Sequence, residues 1–450
     1  MIYSINPYTG NKICSFTELT DAEIAQQINK ADAVYNEWKN TSFKERSQLM
    51  LHAAKILLAN KKEYASTISE EMGKPIKQAI AEVEKCAWVC DYYAENAKEF
   101  LLEKQIPTDA KKSYVSFEPL GVILAVMPWN YPFWQVFRFA APALMAGNAG
   151  VLKHASSVMQ SANNIQQIFE DAGFPKGLFQ NLVIGSSKVD SVIKNPKIRA
   201  VTLTGSKPAG SAVASTAAKE IKKSVLELGG NNAFIVLKDA NIDQAVEIGV
   251  NARYQNTGQS CIAAKRLLLH EAIAEEFTEK YIVKVKQLKS GDPLNEKTYI
   301  GVLARESLAE DLEKQVEDSL KMGAHVLLGG KRKQAYYPPT ILTDVTNEMP
   351  VFIEETFGPV IAIKTFKTIE EAIEISNTSE FGLGVSLFTE NIDEALKLVP
   401  RFQEGAVFIN ELVKSDPRLP FGGIKQSGYG RELGSFGIKE FVNIKTVYVK

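Results

Sequence analysis

Ala200-Val201-Thr202-Leu203-Thr204-Gly205-Ser206-Lys207-Pro208-Ala209-Gly210 is a short apolar run that stops at a small polar turn and leads into a helical pattern. Ala200 to Leu203 reads as a buried strand. The same unit recurs on both sides. Val122 to Met127 is an apolar strand ending at Pro128-Trp129-Asn130-Tyr131-Pro132, with a helix following through Ala146. Ala149 to Leu152 ends at Lys153-His154-Ala155-Ser156, Asn181 to Ile184 is a further strand, and Ser224 to Leu228 closes the series. Strand and helix alternating at this spacing predict an α/β fold with a doubly wound parallel sheet. Gly205 and Gly210 do not form a complete G-x-G-x-x-G fingerprint. They either hold a pyrophosphate at the helix N-terminus or let helix and strand pack closely.

Around this block the chain has scaffold at one end and renewed alternation at the other. Asp21-Ala22-Glu23 begins a long helical region reaching about Phe100, with capping-box spacing at Ser42-Phe43-Lys44-Glu45 and a break at Gly73-Lys74-Pro75. Ser113 to Pro119 alternates as a strand able to form a hairpin with what precedes it. Downstream, Val326 to Leu328 and the segment entered through Tyr336-Tyr337-Pro338-Pro339-Thr340 continue the strand pattern, and Lys445 to Val449 ends the chain as a strand with no sequential partner. Such an edge invites pairing with another subunit.

With 450 residues, two or three domains are expected. Lys plus Arg number 52 against 53 for Asp plus Glu, so no basic face for nucleic acid is expected. Met1 to Pro7 has neither the basic start nor the apolar core of a secretory signal, and the mature chain is expected to begin there. The apolar stretch from Gly121 to Gly147 is interrupted by Pro128, Asn130, Pro132, Arg138 and Pro142, which favours a buried strand, turn and helix over a membrane span. Four cysteines, at 14, 86, 90 and 261, with four histidines, make neither a disulfide framework nor a zinc pattern, so no metal is expected and a reducing cytoplasm fits. Cys86 and Cys90 share a helical face and read as core packing ahead of a redox pair.

Three residues carry the chemistry. Cys261 follows Gly258-Gln259-Ser260, a small polar run that presents a thiol, although a free cysteine is ordinarily a core hydrophobe. Glu227 is a carboxylate in an apolar strand before Gly229-Gly230, costly to bury unless paired or used, and is read as a general base. Asn130 stands between two prolines at a strand end, either facing a ligand crevice or capping the next helix. Glu354-Glu355-Thr356-Phe357-Gly358-Pro359 places a carboxylate and an aromatic before a turn, where a ribose or ring could sit, or where the acidic pair is simply solvated. His154 is read as a polar neighbour.

Pro128-Trp129-Asn130, Leu152-Lys153, Thr204-Gly205-Ser206, Leu226-Glu227-Leu228-Gly229-Gly230, Gly258-Gln259-Ser260-Cys261, Glu355-Thr356-Phe357-Gly358-Pro359 and Pro420-Phe421-Gly422-Gly423, in this order, resemble the aldehyde dehydrogenase superfamily over essentially the whole chain. The resemblance implies doubly wound sheets in a cofactor domain (1–100 and 120–231) and a catalytic domain (232–434), with a small β oligomerisation element (101–119 and 435–450). It makes Cys261 the nucleophile, Glu227 the base and Asn130 an oxyanion donor. It assigns NADP or NAD to Trp129, Lys153, Ser156, Thr204, Gly205, Ser206, Leu228, Glu355 and Phe357. NAD-preferring members often carry a glutamate where Ser156 stands, so acceptance of NADP is expected.

Arg138 lies where succinate-semialdehyde dehydrogenases carry an arginine for the distal carboxylate, with a buried salt bridge as the alternative. Gln255 replaces the second arginine of some of these enzymes, and Ser415 is a further candidate contact. The chain looks like the bacterial short-form succinate-semialdehyde dehydrogenases, which implies a small aldehyde with a distal carboxylate as partner, no nucleic acid or membrane, and a homodimer or homotetramer. The competing expectations are another small aldehyde, a CoA-acylating dehydrogenase, which Glu227 argues against, and a non-catalytic structural protein of the same fold.

Overall fold

In the computed structural model, which describes residues 1–450, the apolar runs of the first half are buried on both faces, as parallel strands covered by helices must be. β1 (Val122–Met127), β2 (Ala149–His154), β3 (Phe179–Asn181), β4 (Ile198–Thr204) and β5 (Lys223–Glu227) are parallel and lie in the order β3-β2-β1-β4-β5. Strand order reverses between β1 and β4, and a crevice opens beyond the carboxyl ends of strands at such a point. Pro128-Trp129-Asn130 and Thr204-Gly205-Ser206 leave those two strands. The short strand Gly428–Tyr429 joins antiparallel beside β5 and completes the sheet.

A second sheet contains β6 (Asn232–Val236), β7 (Ala264–His270), β8 (His325–Leu328), β9 (Thr340–Thr343), β10 (Val360–Phe366), β11 (Val385–Phe388) and β12 (Val407–Ile409), ordered β8-β9-β10-β7-β6-β11-β12. All its pairings are parallel except β8 with β9. One core surrounds the first sheet and two smaller ones cover the faces of the second, with Leu228 in the first and Ala233 in the next. Phe421, Leu433 and Phe441 return the end of the chain to the first core.

Four helices place the site: α1 (Ile76–Phe100), α2 (Trp134–Met145), α3 (Lys207–Lys219) and α4 (Ile242–Tyr254). Gly73 ends the helix before α1 in the left-handed conformation, φ 76°, which a side chain would disfavour. The capping box is present, Glu45 N–H donating to Ser42 Oγ at 3.2 Å and Ser42 N–H to Glu45 Oε2 at 2.7 Å. Gly121 to Gly147 folds as β1, a turn and the buried α2, and no helix is long and apolar enough to cross a membrane.

The strand expected over 181–184 lies at Phe179–Asn181. Its continuation is turned away by a tight bond from Ile184 N–H to the Leu182 carbonyl, 2.9 Å. Gly210 serves close packing, since a Cβ there would lie 2.6 Å from Leu228 Cδ2. The terminal strand has a partner within the chain: Val442–Val449 pairs antiparallel with Lys112–Pro119, which also pairs with Lys104–Gln105. Its other edge is open, with Ile444 62% exposed beside exposed Tyr448 and Val449. Cys86 and Cys90 are fully buried in the core, where burial pushes both thiols well up.

Candidate active site

The loop carrying Cys261 is built from unfavourable backbone. After α4 the chain passes through Asn256, Thr257 and Gly258 with φ of 53°, 54° and 73°. A β-branched residue in the left-handed region costs on the order of 1–3 kcal/mol, and only surrounding contacts sustain it. Thr257 Oγ1 accepts from Gly301 N–H at 3.0 Å, and Gln259 Oε1 accepts from Ala304 N–H at 2.9 Å. Gly258 packs on the Gly358-Pro359 backbone with no room for a Cβ. Beneath it the fully buried Arg253 donates to the carbonyls of Thr356, at 3.0 Å, and Gly358.

This turn brings Cys261 to the junction of two cavities. One, of about 240 Å³, is lined by Lys85, Trp134, Arg138, Gln255, Ser415 and Cys261 among others. The other, of about 340 Å³, is lined by Trp129, Asn130, Thr204, Gly205, Ser206, Leu228, Glu355, Phe357 and again Cys261. Burial pushes the thiol up to about 11, opposed by the nearby charges of Lys265 and Arg138. It is therefore a protonated thiol at neutral pH in this state.

Asn130 is fixed from both ends: Gln135 Nε2 donates to its Oδ1 at 3.1 Å, and its own Nδ2 donates one hydrogen to the Gln259 carbonyl at 3.1 Å. The second amide hydrogen is left for a ligand. Asn256 Nδ2 ties the two loops together, donating to the carbonyls of Asn130, 2.8 Å, and Gln259, 3.0 Å. His154 is structural. Its Nδ1 accepts from Ala155 N–H at 2.9 Å, which leaves Nε2–H to donate to the Pro132 carbonyl at 2.9 Å, and burial pushes it down to about 4.

Glu227, 2% exposed at the end of β5, lines neither cavity, and neither carboxylate oxygen has a hydrogen-bond partner. Its carboxyl is pushed well above the usual carboxylate range, first by burial and then by the neighbouring Glu432 carboxyl, against the pull of Arg138 and Arg431. A buried, unpartnered acid whose pKa is held above the usual carboxylate range is what a proton-transfer group requires.

The larger cavity has features that fit a dinucleotide. Ser206 caps α3 without a side-chain bond, so the first-turn amides of that helix are available to an anion. Trp129 and Phe357 meet edge to face with ring centroids 5.7 Å apart. Glu355 is positioned by Lys265, whose Nζ lies 2.7 Å from Oε1, and by Gly230 N–H at 3.0 Å from the same oxygen. Ser156 lies apart, at the start of the turn Ser156–Val158, in an adjoining cavity of about 480 Å³ formed with the Tyr3–Gly10 segment. Arg305 lines both cavities. Lys153 ends its strand buried and lines neither of them, burial pulling its ammonium down.

Arg138, Gln255 and Ser415 meet in the smaller cavity, but the salt-bridge alternative for Arg138 is also realised. Its guanidinium pairs with Glu432, donates to Thr204 Oγ1 at 3.3 Å and stacks on Phe421 at 4.7 Å. Sequence reasoning missed Glu432, Lys85, Lys265, Arg253 and Asn256. The Ala264-Lys265-Arg266-Leu267 run held a usable signal, two cations inside an otherwise apolar strand, where burial demands partners. No group of three or more His, Cys, Asp or Glu side chains is placed to hold a metal ion.

The sequence profile of the aldehyde dehydrogenase family matches residues 1–447. The chain is 50% identical, over 100% of its length and 99% of the relative's, to a Synechocystis protein named as a probable NADP+ succinate-semialdehyde dehydrogenase. It is 46% identical to the succinate-semialdehyde dehydrogenase [NADP(+)] of Mycobacterium avium, over 100% and 96% of the two chains. The crystal structure of succinic semialdehyde dehydrogenase from Streptococcus pyogenes in complex with NADP+ superimposes with a TM-score of 0.97 at 37% identity, covering 100% of both chains.

Proposed function

This chain belongs to the aldehyde dehydrogenase family, and we propose that it oxidises succinate semialdehyde to succinate with NADP. The carrying observation is Cys261 at the junction of two cavities, one with free helix-terminal amides and an aromatic pair, the other small and lined by cations. Cys261 loses its proton to solvent, and the thiolate so formed adds to the aldehyde carbon. The oxyanion that forms takes hydrogen bonds from the free Asn130 amide hydrogen and the Cys261 N–H, each worth about 3 kcal/mol. A bound nicotinamide would supply the acceptor for the hydride that leaves that carbon. Cys261 then carries a thioester; water adds to its carbonyl carbon as Glu227 takes a proton from the water, and the carbon–sulfur bond breaks to release succinate and the Cys261 thiolate.

Because Glu227 lines neither cavity in this state, its side chain rotates toward Cys261 for this step. In the same reading Trp129, Thr204, Gly205, Ser206, Leu228, Glu355 and Phe357 hold the cofactor, with Lys153 and Ser156 at its adenosine end. Residues 1–100 and 120–231 form the cofactor domain, 232–434 the catalytic domain, and 101–119 with 435–450 an assembly element. The open edge of Val442–Val449 joins copies into a homodimer or homotetramer, and four free thiols suit a reducing cytoplasm. Initial rates with a panel of aldehydes and both cofactors, without CoA, test the whole reading; a requirement for CoA, or no preference for the acidic aldehyde, overturns it.

Two variants separate its parts. Arg138→Ala raises KM for succinate semialdehyde by about tenfold or more, the worth of a charge-assisted bond, and changes KM for butanal far less; equal effects on both aldehydes refute the contact. Ser156→Glu raises KM for NADP by about tenfold or more through repulsion of the 2′-phosphate and leaves NAD little affected. An unchanged NADP to NAD ratio of kcat/KM removes Ser156 from the cofactor site.

A further inference from the structure

The smaller cavity has more cationic groups than the carboxylate reading has used, and their partners decide which are free. Lys74 is paired with Glu82, Arg138 with Glu432, and Lys414 with Glu411 at 2.7 Å. Lys85, from the middle of α1, is the remaining cation on the wall. Its Nζ donates to Ser415 Oγ at 2.9 Å and sits 4.3 Å from the centre of the Trp134 ring. Trp134 Nε1 donates to the same Ser415 oxygen at 3.0 Å. A hydroxyl and an aromatic face orient an ammonium without cancelling its charge.

The acids near Lys85 are engaged elsewhere. Asp416 is held by Arg418 at 2.7 Å, and Glu82 accepts from the Phe133 and Trp134 amides at 2.9 and 3.0 Å besides its pairing with Lys74. Burial, and then the Arg138 charge, brings Lys85 down to about 8, the direction expected of a cation lacking its counter-ion. Gln255, on the same wall, contributes no charge.

We propose that Lys85 is a specificity-determining residue that binds the distal carboxylate of the substrate, supplying beside Arg138 the second cation that Gln255 does not. This rests on the reading of the cavity as the site of an aldehyde with a far carboxylate. Arg138 already has Glu432 as a counter-ion, whereas the charge of Lys85 is met only when an anion enters. Ser415 receives hydrogen bonds from both Lys85 and Trp134 and fixes where the ammonium points, so it acts as a positioning residue.

The test compares kcat and KM for succinate semialdehyde and for butanal in the wild type, Lys85→Met and Lys85→Arg. The methionine fills the space of the lysine stem without its charge, and we expect KM for the acidic aldehyde to rise about ten- to hundredfold, with kcat within about twofold and butanal kinetics unchanged. Lys85→Arg restores most of the preference. A preference retained by Lys85→Met, or equal losses for the two aldehydes, overturns the role of Lys85 alone. A wild type that does not prefer succinate semialdehyde over butanal overturns the substrate reading on which it rests.

Discussion

Cys261→Ala abolishes turnover of succinate semialdehyde, by on the order of 10⁴-fold or more, the scale of losing a covalent nucleophile. It also abolishes any rapid first-turnover release of NADPH, because no adduct forms from which hydride can leave. The alanine removes one sulfur at the meeting point of two cavities, so thermal unfolding should stay near wild type. In the wild type, burial raises the thiol to about 11, which leaves on the order of one thiolate in ten thousand at pH 7. Alkylation of Cys261 by iodoacetamide, without cofactor, is therefore slow at neutrality and accelerates about tenfold per pH unit toward 11. A pH-independent rate, or full activity in Cys261→Ala, rules out this thiol as the nucleophile.

Cys261 stands out in the sequence because its signal is local. A glycine and two small polar residues before a thiol announce a turn, and the strand ends at Met127 and Thr204 announce where a parallel sheet opens. Each is a short-range pattern that marks where the crevice lies, and the family resemblance names most of the residues that line the larger cavity. The backbone that makes the turn could not be read this way. Asn256 and Thr257 are ordinary residues for a helix end, and their left-handed conformation, φ 53° and 54°, is imposed by contacts with Gly301, Ala304 and Gly358, all distant in sequence.

Charges were legible as residues and illegible as pairs. Arg138 stood out inside an apolar helix, but its partner Glu432 lies near the other end of the chain. Lys85 lies between Glu84 and Cys86 on an amphipathic helix, where a lysine reads as a solvated face. Only the docking of α1 beside Trp134 and Ser415 turns it into the cavity. Lys153 and Ser156 are named by motif position, and the fold separates them: Ser156 lines an adjoining cavity, while Lys153 is buried at the end of its strand and lines neither.

Glu227→Gln separates the two halves of the reaction. Acylation of Cys261 needs no water, so the variant releases close to one NADPH per active site in a rapid first turnover. Steady-state kcat then falls by about 10²–10⁴-fold, the usual contribution of a positioned base. The wild-type pH profile follows from the same carboxyl. Only its ionised form accepts a proton, and burial with the neighbouring Glu432 raises its pKa well above the ordinary 4.5. As pH falls through that raised value the base is protonated and hydrolysis slows; as pH rises through it, kcat recovers. The acid limb of kcat thus lies well above the normal carboxylate range, and it is absent from the residual turnover of Glu227→Gln. Loss of the first-turnover release together with steady-state activity would place Glu227 in acylation. An unaltered acid limb in the variant would assign the titration to another group, and Glu432, buried against Glu227 and raised by the same burial, would be the next to replace.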